Sequence, residues 1–298
     1  RHGRRGRRRG APGAVVSEVH AAPVLLQWAA GGVFFGWGTT RRREVGAGYG
    51  WLLRSLYAAL AALAGIVGLS AGFQPVRDAA GMAAALIAAG VAAVAFRLRG
   101  STPSAQARDA QRRRSRVAAM LGRPAGEPAP AAGPAFPPAL DVAAPLVAFA
   151  GVVAGGVSAG GPVALSIARV VIGALFLGAV SDAMLLGHWY LVQPGLRRAP
   201  LVHLVRWAMV LWAAEAAVLL WPTGVVSLLT GTIDDGFGGL LGWYWVLCAA
   251  GSAVLLGATE AALRIRRYAA VMAGTGLLYL AIMTAFGMDL IARVSLRP

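Results

Sequence analysis

The sequence predicts an all-α fold, a polytopic membrane bundle of about eight transmembrane helices. Hydrophobic residues make up 58% of the chain, charged residues make up only 13%, and the mean hydropathy is +0.65. These values lie well outside the usual range of soluble domains. The apolar residues are gathered into eight long segments, and nearly all the charge lies between them. Because lipid offers no partner to an open backbone N–H or C=O, segments that cross a bilayer must be helical.

The lengths of the eight apolar segments suit a membrane. Most of them reach or approach the ~20 residues that a helix needs to cross ~30 Å of hydrocarbon. Their predicted bounds are residues 21–39, 51–73, 79–97, 141–160, 162–192, 201–222, 239–263 and 268–292.

The chain divides into four regions: a basic tail (1–20), a first membrane half with three helices (21–99), a linker (100–138) and the remaining five helices (139–298). The linker is rich in Pro, Ala, Gly and Arg and has no apolar periodicity, which predicts a disordered cytoplasmic segment. Trp37 and Trp189 are 152 residues apart, as are Arg54 and Arg206. This repeat is the basis of a further hypothesis, two parallel four-helix halves.

The arginines predict the orientation in the membrane. All 28 basic residues are Arg, and the loops after the first, third, fifth and seventh segments hold most of them. By the positive-inside rule these loops are cytoplasmic, in a bacterial inner membrane. The basic tail would then lie outside. Either the tail is not the native start or the first segment does not cross, and we favour eight spans over seven.

Composition and motifs limit the classes of function. An excess of Arg without any Lys is typical of a GC-rich genome, so it does not predict nucleic-acid binding. The expected partners are the lipid bilayer and other membrane subunits. The sequence has no phosphate-binding Gly-rich loop before a Lys and no His-Glu metal-binding helix motif, and Cys248 is its single cysteine. An enzymatic role is therefore not favoured, and no motif identifies a family.

The fifth and sixth segments form the candidate site. Pro194 and Gly195 predict a tight turn between them, so the two helices are antiparallel neighbours. In such a hairpin, residues at equal depth have a nearly constant sum of residue numbers. This rule pairs three sets of residues: His188 with His203, Asp182 with Arg206, and Arg169 with Glu215.

Two interpretations of the charged pairs remain open. An ionised group at this depth costs at least ~2.5 kcal/mol on insertion scales, so these side chains are not expected to face lipid. The first interpretation is that Asp182–Arg206 and Arg169–Glu215 are ion pairs that fix the helix register. The second is that Asp182 or Glu215 takes up and releases a proton. Glu260–Arg264 and Asp289–Arg293 are predicted as simple pairs between residues four apart at helix ends.

The histidines also have two interpretations. The first is that His188 and His203 are interfacial imidazoles. The second is that they contact a cofactor, as ligands of haem b or as contacts of a quinone headgroup. In the second case Trp189 and Tyr190 would line the cofactor pocket, although aromatic residues are expected at a membrane interface in any case.

Three functions follow from these interpretations. The leading hypothesis is a haem- or quinone-associated subunit of a membrane redox complex, which predicts a cavity around His188 large enough for a ring system. The alternative is a proton-coupled small-solute transporter, which predicts a polar, water-accessible path from one face to Asp182. A purely structural membrane subunit predicts neither.

Overall fold

The computed structural model of the chain describes residues 21–41, 47–70, 72–98, 137–193, 196–222, 224–232, 237–265 and 267–295, with the single positions 45, 111 and 115. The predicted basic tail and nearly all of the predicted linker lie outside these residues.

Eight long helices make up the described part of the chain, which contains no strand. They are α1 (Ala21–Thr40), α2 (Ala47–Ser70), α3 (Pro75–Arg97), α4 (Ala143–Val157), α5 (Val163–Val192), α6 (Ala199–Leu220), α7 (Leu240–Arg264) and α8 (Tyr268–Ser295). A 3₁₀ turn, Pro138–Val142, precedes α4, and a short helix, Val226–Leu229, follows α6. The predicted fold class is confirmed, and every helix begins and ends within a few residues of its predicted bounds.

Seven of these helices, α2 to α8, are long and apolar enough to cross a membrane. The exception, α1, carries Gln27 and several Gly and Trp residues among its apolar ones. It packs against α2, α4 and α5, and half of its residues are buried. Because its neighbours are helices of the same chain, α1 does not need to be apolar on every side.

Helices α1 and α5 cross at close range in the bundle core. A Cβ added to Gly31 would lie 1.7 Å from the carbonyl oxygen of Ala174, and one added to Gly178 would lie 2.1 Å from the carbonyl carbon of Gly31. The two backbones therefore touch, as small residues allow in membrane helices. Since the helices run parallel, the same crossing places Gln27 beside Gly173 and Gly36 beside Asp182.

Successive helices alternate in direction, so the bundle has two faces with different loops. At one face of the bundle the odd-numbered helices begin and the even-numbered helices end. We name it the Arg-poor face, because the loops predicted on this side contain few arginines. A cleft at this face is lined by residues from the ends of several helices, including Pro23, Phe73, Ser158 and Pro222. The opposite face, which carries the Arg-rich connections, is named the Arg-rich face.

Candidate functional site

The two histidines contact different helices. His188 is exposed on α5, and its Nδ1 lies 3.1 Å from the hydroxyl oxygen of Tyr279 on α8. His203 is exposed on α6, and its Nε2 accepts a hydrogen bond from the indole N–H of Trp207 at 3.0 Å. Although the sequence predicts equal depth for the two histidines, no hydrogen bond or ring contact between their imidazoles is found among the described residues.

The neighbouring aromatic residues hold the end of α5. Trp189 donates a hydrogen bond from Nε1 to the side-chain oxygen of Gln193 at 3.1 Å and packs on Tyr49, with ring centroids 6.0 Å apart. Tyr190 is buried, and its hydroxyl donates to the carbonyl oxygen of Arg197. These contacts hold the end of α5 against α2 and against Arg197.

Asp182 and Arg206 have other partners, which corrects the predicted pair. Asp182 is fully buried, and its Oδ1 accepts a hydrogen bond from the hydroxyl of Tyr57 at 2.5 Å. The side chain of Arg206 is 64% exposed and contacts Glu260 on α7 at 3.2 Å. The numbering rule gave the depth of each residue along its helix. It could not give the side of the helix, and Asp182 faces α1 and α2 whereas Arg206 faces α7.

The second predicted pair is corrected in the same way. Arg169 donates from Nε to the carbonyl oxygen of Val218 at 3.0 Å and from Nη2 to that of Trp221 at 2.7 Å. It thus satisfies open carbonyl groups at the end of α6. Neither oxygen of Glu215 has a hydrogen-bond partner among the described residues, although the charge of Arg169 still acts on this carboxylate.

Glu215 belongs to a cluster that the sequence analysis did not assemble. We name Gln27, Glu215, Asp289 and Arg293 the carboxylate cluster. Asp289 accepts hydrogen bonds from Nε2 of Gln27 at 3.1 Å and from Nε of Arg293 at 2.7 Å. The charges of Asp289 and Arg293 both act on Glu215. Helices α1, α6 and α8 therefore meet at a single polar centre.

Gly173 of α5 makes room for this cluster. A Cβ at this position would lie 2.4 Å from Nε2 of Gln27, 2.9 Å from Oδ1 of Asp289 and 3.2 Å from Oε1 of Glu215. The three side chains thus converge over bare backbone. Any larger residue at position 173 would displace them.

The cluster lies inside the protein. Gln27 is 1% exposed, Glu215 is 0% exposed and Asp289 is 3% exposed. The predicted pair of Asp289 with Arg293 is present, as is that of Glu260 with Arg264 at 3.3 Å. The position of Asp289 differs from the expectation, because it faces the bundle core. The sequence feature that could have indicated this polar cluster is Gln27, a strongly polar residue within an apolar segment.

A cleft of about 730 Å³ opens at the Arg-poor face and reaches the cluster. Gln27, Arg169 and Arg293 line it, together with Arg77 of α3. No acidic side chain is found among the described residues that line this cleft. Glu215 and Asp289 thus lie directly behind a wall that carries three guanidinium groups.

A groove of about 690 Å³ lies at the Arg-rich end of the bundle, between α1 and α6. Its walls are mainly aromatic and aliphatic, and they include Phe34, Trp37 and Trp207. His203 and Arg206 also line this groove, whereas His188 is not one of its lining residues. Of the two histidines, only His203 therefore lies beside a large, mainly apolar groove.

Within the described ranges, no group of three or more His, Cys, Asp or Glu side chains is arranged to hold a metal ion. No model of a known protein family matches the chain, and no curated protein or solved structure matches it either.

Proposed function

We propose that this membrane protein is a proton-coupled transporter of a small solute, with Glu215 as its proton-binding carboxylate. The observation that carries the proposal is the environment of Glu215, which is fully buried and has no hydrogen-bond partner among the residues the structure covers. Burying a charge without partners is expensive, so the protonation state of such a group responds to its neighbours. A carboxylate of this kind is suited to exchange protons during a transport cycle.

The cleft supports the proposal because it supplies access from one face. Gln27 and Arg293, which both bond to Asp289, also line the cleft. Only one layer of side chains therefore separates water in the cleft from the carboxylates. A proton or solute arriving at the Arg-poor face would meet this layer first.

A second buried carboxylate lies deeper along α5. Asp182 follows Gly173 by nine residues, which corresponds to a rise of ~13.5 Å toward the Arg-rich face. Between them, the indole N–H of Trp28 donates to Ser181 Oγ at 2.8 Å. Tyr57 donates a hydrogen bond to Asp182 itself. We assign Asp182 as the second proton site of the same pathway.

Orientation is part of the proposal. We place the Arg-rich face in the cytoplasm of a bacterial cell and the cleft on the outside, with other membrane subunits as candidate partners. Ser158 lines the cleft and is exposed, and the native Cys248 is buried. In a Cys248→Ser background, Ser158→Cys should react with a membrane-impermeant thiol reagent added to intact cells. Labelling only after the cells are opened would reverse the orientation.

Proteoliposomes test the transport function. The purified protein is reconstituted with a pH-sensitive dye inside the vesicles, and candidate solutes are added outside. We expect one solute class to drive proton entry, and Glu215→Gln should abolish this signal. The matched control is Glu260→Gln, which removes a carboxylate held by Arg206 and Arg264 at the Arg-rich face. Proton entry that persists in folded Glu215→Gln protein would contradict the proposal.

The groove beside His203 favours a second candidate, a quinone-associated redox subunit. Its aromatic walls can enclose a quinone ring, and the Nδ1 of His203 faces no described hydrogen-bond partner. A haem b would instead need one histidine and a ligand from a partner subunit, since His188 and His203 contact different helices. A reduced-minus-oxidised spectrum of the purified protein and a quinone extraction, each repeated on His203→Ala, test this candidate. Absence of both cofactors from folded protein would exclude it.

A further inference from the structure

We infer that the solute of the cleft is a small anion, held by Arg169 and Arg293. This inference rests on the proposed transport function and names the chemical class of its substrate.

The charge of the cleft has a single sign. Arg77 from α3, Arg169 from α5 and Arg293 from α8 contribute guanidinium groups, and the described lining contains no carboxylate. The carboxylates that anchor Arg77 and Arg293 are Asp78 and Asp289, and both are buried. These two ion pairs offset the charge of Arg77 and Arg293, whereas Arg169 is bonded only to backbone carbonyl oxygens, so its positive charge acts on the solvent in the cleft and attracts an anion.

Two of these guanidinium groups have accessible donors that are not bonded to described residues. Arg293 uses only Nε, toward Asp289, so neither of its Nη groups is bonded to a described residue. Arg169 donates hydrogen bonds from Nε and Nη2 to carbonyl oxygens at the end of α6, so its Nη1 is not bonded to a described residue. Arg77 also uses Nε and Nη2, toward Asp78 and the carbonyl oxygen of Gly72, but its side chain is only 6% exposed, so its remaining Nη1 is the least accessible of the three. Arg169 and Arg293 are therefore the residues equipped to bind an oxyanion.

Gln27 adds a requirement for the solute. Its Nε2 is bonded to Asp289, but its Oε1 has no partner among the described residues, although the side chain is 1% exposed and lines the cleft. A buried acceptor without a donor costs about 1–3 kcal/mol. An anion that also carries a hydroxyl or amine donor would satisfy this oxygen, so such anions should bind more tightly than simple ones.

The cluster couples anion binding to the proton. The charged groups that act on Glu215 are Asp289 and Arg293 of α8 and Arg169 of α5, while α1 contributes the neutral Gln27. An ionised Glu215 offsets part of the positive field of the two arginines, and a protonated Glu215 does not. The anion should therefore bind more tightly when Glu215 is protonated, and by linkage its binding should draw a proton onto the protein.

Direct binding tests the inference without any transport assay. The full-length protein in nanodiscs of zwitterionic lipid is titrated with sulfate, acetate and lactate, and with glucose and tetramethylammonium as a neutral and a cationic probe. We expect the anions alone to raise the thermal unfolding midpoint and to take up protons from a weakly buffered solution. Lactate should bind more tightly than acetate, and the affinity of both should rise as the pH falls.

Substitutions locate the binding site. Arg169→Gln should weaken anion binding about tenfold or more, the loss expected for one charged hydrogen bond. Arg169→Lys keeps the charge but loses the planar fork, so it should recover only part of the affinity. The control is Arg264→Gln, whose side chain is 75% exposed at the Arg-rich face. Anion binding that is unchanged in Arg169→Gln would overturn the inference.

The outcomes separate this inference from the proposed function. Proton-coupled uptake of a neutral or cationic solute, with no anion binding, would overturn the inference and leave the transporter in place. Anion binding that depends on Arg169, without any uptake by proteoliposomes, would support the anion site and overturn the transporter.

Discussion

Nε2 of Gln27 and Oδ1 of Asp289 form a hydrogen bond of 3.1 Å between the first and the last helix, 262 residues apart in the sequence. Both side chains are buried, and Glu215 of α6 meets them over Gly173 of α5. Four helices therefore depend on one polar centre inside an otherwise apolar bundle. A buried polar network favours one packing arrangement when its groups are paired. Substituting one of its residues should therefore lower the stability of the fold by a measurable amount.

Loss of Gln27 should destabilise the protein. Gln27→Leu removes the donor to Asp289 and leaves a buried carboxylate with Arg293 as its remaining partner. The lost partner costs the charged Asp289 more than the ~1–3 kcal/mol typical of a neutral group, and removing the unpartnered Oε1 of Gln27 returns part of this, so we expect a net loss of about 1 kcal/mol. Thermal unfolding in detergent measures this loss. Gln74→Leu, at a half-buried position of the α2–α3 connection, is the matched control and should change the midpoint little.

Gly173 should not tolerate even one methyl group. Gly173→Ala would place a Cβ at 2.4 Å from Nε2 of Gln27 and 2.9 Å from Oδ1 of Asp289. We expect the bond between α1 and α8 to break, with a loss of several kcal/mol because the polar groups are displaced within a packed interior. The control is Gly276→Ala on α8, where a Cβ would meet nothing within 4 Å. Equal midpoints for the two variants would contradict the position assigned to Gly173.

Gly31 should be equally intolerant for a different reason. An added Cβ would lie 1.7 Å from a backbone oxygen of α5, which cannot rotate away as a side chain can. Gly31→Ala should therefore separate α1 from α5 and abolish folded protein in a size-exclusion profile. Gly38→Ala tests the same helix at a position where a Cβ would have open space, and its profile should be unchanged. A normal profile for both would show that the helices do not touch at Gly31.

The sequence predicted the helices and the depths of the residues but not their rotation. Apolar segments of membrane length have one stable backbone form, so the bounds of α1 to α8 followed from composition. Asp182 is buried inside the bundle, in keeping with the expectation that its side chain does not face lipid. Hairpin numbering paired Asp182 with Arg206 because equal depth does not determine which side of a helix a residue occupies. The carboxylate cluster joins residues far apart in sequence, and no local pattern connects Gln27 with Asp289.

The partner of Asp182 can be identified by a double-mutant cycle. Tyr57 donates to Asp182 at 2.5 Å, whereas Arg206 contacts Glu260. Tyr57→Phe and Asp182→Asn should therefore each destabilise the protein, and their effects should be non-additive by about 0.5–3 kcal/mol, as expected for residues in contact. Arg206→Gln should add to Asp182→Asn without coupling. Thermal or denaturant unfolding of the four combinations in each cycle gives both coupling energies. Coupling of Asp182 with Arg206 and none with Tyr57 would restore the ion pair predicted from the hairpin numbering. Coupling with Tyr57 alone would identify Tyr57 as the partner of Asp182. The other carboxylate oxygen, Oδ2, has no hydrogen-bond partner among the described residues, so it is the oxygen available to the proposed proton pathway.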